Sequence, residues 1–182
     1  PVPLPRRSLA MATVVLATLV STTAPAAGVG NDNGNGASGP AIVRGPDDVL
    51  LPVVGTFAGS RVVSSTCGHE VVFEGGTAHE GPVDVVLDPG HGGPETGSVG
   101  ANGLVERDLN LTVALRVEAA LVEMGYSVVL TRRQDLHMPI RQRTRIVRAL
   151  EPRAFVSIHH NGGAVRRSDT PGTEAFHQVD DA

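Results

Sequence analysis

Three side chains that could hold a metal ion, His91, Glu106 and His159, stand in separate segments of this 182-residue chain. His91 lies in Val83–Gly93, Val-Asp-Val-Val-Leu-Asp-Pro-Gly-His-Gly-Gly, where an apolar run ends in a turn. Pro89 fixes its own φ and the glycines accept backbone angles that other residues resist, so the chain bends sharply and projects His91. His159 follows a second apolar run, and Glu106 opens an amphipathic stretch. Two imidazoles and a carboxylate suit zinc, with three protein ligands and a fourth position open to water. The ion's charge would lower the pKa of that water to about 7, so the chemistry is hydrolysis near neutral pH. A lone histidine among glycines is better read as an idle loop residue, and the case rests on the three together. An acid at a helix start serves equally well to complement the macrodipole. His160 also competes with His159, because side chains alternate along a strand and only one of the pair should face the site. The residues alone leave both choices open.

These groups can meet only if the elements carrying them share one edge. Val83–Leu87 reads as a buried strand and Gly92–Leu104 as an irregular loop. Leu109, Val113, Val117, Leu121 and Met124 then recur at helical spacing, with Gly125 as a natural C′ residue. Ser127–Thr131 is a second buried strand and Arg132–Met138 a polar loop. Pro139 suits the first turn of a helix running to about Leu150. Ile140, Val147 and Leu150 should mark its inner face and Arg141, Arg145 and Arg148 its solvated face. Pro152 ends it, and Ala154–Ile158 is the third strand. The order β-α-β-α-β predicts an α/β fold, an open and mainly parallel sheet with flanking helices and right-handed crossovers. Its carboxyl edge is where such sheets place ligands. His91 and His159 each follow a strand there, and Glu106 starts the helix that the first loop delivers.

Composition narrows the alternatives. A hydrophobic fraction of 41% and a net charge of −4 fit one modest domain with appendages, not a nucleic-acid binder. Cys67 is the sole cysteine, which excludes an internal disulfide or a multi-cysteine zinc site. Arg6-Arg7, an apolar run from Leu9 to Val20 and Ala24-Pro25-Ala26 predict a secretory signal peptide over residues 1–27, with no membrane span once it is removed. Residues 28–40, rich in Gly and Asn, read as a flexible linker. Residues 41–82 hold short apolar pairs between Gly, Ser and Pro clusters, which fit short strands or an irregular arm. His69, Glu70, His79 and Glu80 there read as surface residues. Two other glycine-rich readings fail: Pro94-Glu95 replaces the Lys-Ser/Thr of a P-loop, and Glu95 occupies the third glycine position of a dinucleotide fingerprint.

Four blocks carry a resemblance. Leu87-Asp88-Pro89-Gly90-His91-Gly92-Gly93, Gly103-Leu104-Val105-Glu106-Arg107-Asp108-Leu109-Asn110-Leu111, Leu130-Thr131-Arg132 and Phe155-Val156-Ser157-Ile158-His159-His160-Asn161 come in that order. Together they resemble the zinc-dependent N-acetylmuramoyl-L-alanine amidases of bacterial cell walls (amidase type 3), over roughly residues 83–176. The resemblance implies one zinc ion held by His91, Glu106 and His159, and so settles the histidine pair. It leaves His160 beside the cleft and gives Asp88, Asn110, Asn161 and Arg143 positioning or substrate-binding roles. It implies a secreted or cell-wall-associated, monomeric bacterial hydrolase acting on peptidoglycan. The family's catalytic Glu, in a late Val-Glu-x-Gly-Phe-like block, has no counterpart before Ala182, and Glu174 falls too early to replace it. Residues 83–182 are thus expected to be the N-terminal portion of the catalytic domain, with the last part of the fold missing and little activity alone. A non-catalytic peptidoglycan-binding relative and a zinc carboxypeptidase are the rival readings.

Overall fold

The computed structural model describes residues 15–17, 41–160 and 175–176. The expected cleavage site, the linker and Asn161 lie outside them. Three strands form the parallel core: β7 (Val85–Pro89), β8 (Val128–Leu130) and β9 (Ala154–His159). β7 lies between the other two, pairing Leu87 with Leu130 on one side and with Val156 on the other. Helix α1 (Glu106–Glu123) connects β7 to β8, and α2 (Ile140–Leu150) connects β8 to β9. This is the β-α-β-α-β order expected. The sheet continues past β9 through β1 (Val15–Ala17), antiparallel to β9, and then β10 (Ala175–Phe176). β1 falls within the run expected to be the apolar part of the signal peptide.

Both faces of the parallel core are covered, which is why its strands read as unbroken apolar runs. Side chains alternate along β7: Leu87 packs with Leu130, Ile158 and Ala114 on the α1 side, while Val86 packs with Val129, Met138 and Ile146 on the α2 side. α1 has no side-chain N-cap; instead, the amides of Glu106 and Arg107 donate to the carbonyls of Ser98 and Thr96. Its C-terminus is closed by Gly125 at φ +89, a left-handed residue at the expected position.

Two helix faces differ from expectation. The buried line of α1 is Glu106, Asn110 and Ala114, with Val113 and Val117 beside it, and Met124 is exposed. Apolar periodicity pointed one step away from this line because its first two members are polar. In α2 the buried residues are Gln142, Arg143 and Ile146, whereas Ile140 is 79% exposed in the first turn. Arg145, expected in solvent, donates to the Ser64 hydroxyl at 2.7 Å.

That hydroxyl belongs to a second sheet, built from the segment with no assigned role. β2 (Ile42–Arg44), β3 (Leu50–Phe57), β4 (Ser60–Ser64), β5 (Glu70–Phe73) and β6 (Thr77–Ala78) pair antiparallel in the order β5-β4-β3-β2-β6. Its Ile42 and Leu50 join the core beside Val86 and Ile146, so α2 is packed between the two sheets. Gln142, fully buried, fixes the contact: its amide donates to the Ser64 carbonyl at 2.9 Å and accepts from the Ser64 hydroxyl at 2.6 Å.

Candidate metal centre

The strand register brings the expected residues together. Pro89 pairs with Ile158, so His91 and His159 leave the sheet at the same edge. α1 starts at that edge with Glu106. One oxygen of Glu106, Oε1, lies 3.1 Å from His91 Nε2 and 3.1 Å from His159 Nδ1. Donor atoms of the three residues all lie within 4.8 Å of one another. Ligand bonds of about 2.0–2.1 Å at tetrahedral angles separate neighbouring donors by roughly 3.3 Å, so the set fits zinc. The imidazoles meet edge to face, with centroids 4.7 Å apart, and leave the nitrogens free to converge.

Close backbone approach makes room for them. A Cβ at Gly90 would fall 2.2 Å from the His159 ring. One at Gly97 would lie 2.5 Å from the His91 ring and 2.6 Å from Glu106 Oε2. His91 itself holds φ +63, the left-handed region that a residue with a Cβ disfavours. Its carbonyl is held by Arg143 Nη2 at 2.7 Å.

Glu106 is 7% exposed and carries a depressed pKa. Burial alone would raise it. The amides of Ser98 and His160 donate to its two oxygens, at 2.8 and 3.0 Å, and His159 and His91 add their attraction. The net result is a pKa of about 2. Glu106 is therefore an anion across the whole neutral range, available to a cation.

The surrounding groups divide by strand parity. His160 continues the Val156 and Ile158 face toward α1, where its Nδ1 meets Asn110 Oδ1 at 2.6 Å. It is buried beside the site, its amide on Glu106. Burial lowers its pKa, against the opposing pull of Glu106. Asn110 also donates to the Gly90 carbonyl at 3.1 Å. On the other face Asp88, 4% exposed, accepts from the Thr131 and Ser157 hydroxyls and pairs with Arg143 at 2.5 Å. Sequence reasoning gave Arg132 no role, yet it is 2% exposed and donates to the carbonyls of Pro89, Gly90, Arg107 and Gln134. Burial and the neighbouring Arg143 bring its pKa down to about 10, which still leaves it charged at neutral pH. The signal available was its place in the Leu-Thr-Arg block.

Comparison with known proteins adds a separate line of support. A family model described as N-acetylmuramoyl-L-alanine amidase matches residues 85–181, more than half of the chain. The germination-specific N-acetylmuramoyl-L-alanine amidase of Bacillus subtilis is 35% identical over 107 residues, 51% of this chain and 44% of that protein. N-acetylmuramoyl-L-alanine amidase AmiA of Escherichia coli is 41% identical over 78 residues, 43% of this chain and 27% of that protein. Uncharacterized protein YqiI of Bacillus subtilis is 41% identical over 96 residues, 53% of this chain and 45% of that protein. The chain thus spans less than half the length of these relatives.

Proposed function

The chain belongs to the N-acetylmuramoyl-L-alanine amidase family, and on that premise we propose that it hydrolyses the amide joining the lactyl group of N-acetylmuramic acid to the L-alanine of peptidoglycan stems. His91, Glu106 and His159 would hold one zinc ion, and their convergence on a single sheet edge carries the reading. When bound, zinc supplies Lewis acidity toward the scissile carbonyl and lowers the pKa of water beside it. Glu106 contributes the negative charge, already ionised at neutral pH. The Ser98 and His160 amides aim its carboxylate, while Asp88 and Arg143 fix the turn that presents His91. Asn110 orients His160 and the Gly90 carbonyl. No residue of the chain is assigned as general base.

Because the polymer lies outside the membrane, we place the protein at the cell wall, exported by the signal peptide over residues 1–27, whose cleavage would also take β1 from the sheet. No helix among the described residues is long and apolar enough to cross a membrane. Digestion of purified peptidoglycan by the zinc-loaded protein tests the reaction. New L-alanine amino termini, formed slowly because no general base is assigned and lost in Glu106→Ala, are the expected product. Released terminal amino acids would indicate a carboxypeptidase, and binding without cleavage a wall-binding module.

A further inference from the structure

Two of the three proposed ligands reach the site on independent segments, His91 on the turn after β7 and Glu106 on the first turn of α1. Something must set the distance between those segments. Arg132, from the loop after β8, lies between them. Its Nη2 donates at 2.9 Å to the Gly90 carbonyl, one residue before His91, and at 2.9 Å to the Arg107 carbonyl, one residue after Glu106. Its Nε donates to the Pro89 carbonyl at 2.9 Å and its Nη1 to the Gln134 carbonyl at 3.1 Å. One rigid guanidinium thus joins three segments, and it is buried where water cannot take its place.

We propose that Arg132 is a positioning residue for the metal centre, holding the His91 turn and the Glu106 turn at the separation a metal ion requires. The role rests on the zinc reading above. Asn110 and Arg107 also tie α1 to the turn, through the carbonyls of Gly90 and Gly93. Both reach out from α1 itself, whereas Arg132 anchors the pair to a third segment and to β7. Arg143 differs in kind: its bonds go to Asp88, Pro89, His91 and Met138, none of them on α1. A lysine at 132 would keep the charge but not the planar fork, since an ammonium on a flexible stem cannot meet four carbonyls fixed around a guanidinium.

The experiment measures zinc affinity by chelator competition, and the visible absorption of the cobalt-substituted protein, for the whole chain and three variants. Arg132→Lys and Arg132→Gln should weaken zinc binding roughly 10–100-fold, the range for groups that orient metal ligands, and should alter the cobalt band. Ile146→Ala, a core change away from the site, should lower the melting temperature while leaving affinity and band unchanged. Wild-type affinity and an unaltered band in the Arg132 variants would overturn the proposal, as would an equal loss of affinity in Ile146→Ala. A wild-type chain that takes up no zinc would overturn the metal reading itself, and this role with it.

Discussion

His91 adopts φ +63, which costs a residue with a Cβ roughly 1–2 kcal/mol. Such strain persists where the surroundings impose it and a function uses it. Asparagine tolerates this region better, so His91→Asn should leave the metal-free protein as stable as the wild type or slightly more so while abolishing zinc binding. Thermal melts with and without zinc check both halves. Glu106 makes a prediction about pH. Its pKa in the fold is about 2, against an ordinary 4.5. Its stabilisation of the metal-free fold is therefore fully present above about pH 4.5 and is lost as pH falls from there through about 2. The gap amounts to something on the order of 3 kcal/mol. Glu106→Gln should remove that dependence, so the stability difference between the two proteins should narrow steadily over this range in denaturant titrations. At this scale the candidate ligands were legible because histidines and acids are rare enough to count. Arg132 was not, because a buried arginine and a solvated loop arginine look alike until the carbonyls around them are known.

Residues 159 and 160, which composition and spacing alone do not tell apart, diverge by strand parity. His159 points to His91 and Glu106, while His160 turns to Asn110. His160→Ala should therefore retain zinc yet destabilise the fold by about 1–3 kcal/mol, since it strips a buried amide oxygen of its partner. Zinc content and urea midpoints of the two alanine variants would show it. The strands and helices themselves were readable, because runs such as Val85–Leu87 and the spacing of Val113 and Val117 are the direct imprint of burial on two faces or on one. Inner faces were harder. Ile140 counts as apolar in any periodicity but stands in solvent, while Gln142 and Arg143 are buried because partners distant in sequence satisfy them.

Among the described residues the two sheets meet through α2, where Gln142 and Arg145 both bond to Ser64. Gln142→Ala should cost about 1–3 kcal/mol, because the buried Ser64 carbonyl and hydroxyl both lose their Gln142 partner and only the hydroxyl keeps Arg145. Ser64→Ala added to it should cost less than the sum, because the two share one network. A contact spanning 78 positions leaves no local pattern, which is why residues 41–82 read only as short strands or an arm. The central claim is the metal centre itself, and zinc content after exhaustive dialysis tests it most directly. The wild type should retain about one zinc ion per chain, as three protein ligands require, and so should His160→Ala. His91→Ala, Glu106→Ala and His159→Ala should each lose it, whereas full retention by any of these three, or none in the wild type, would contradict the assignment.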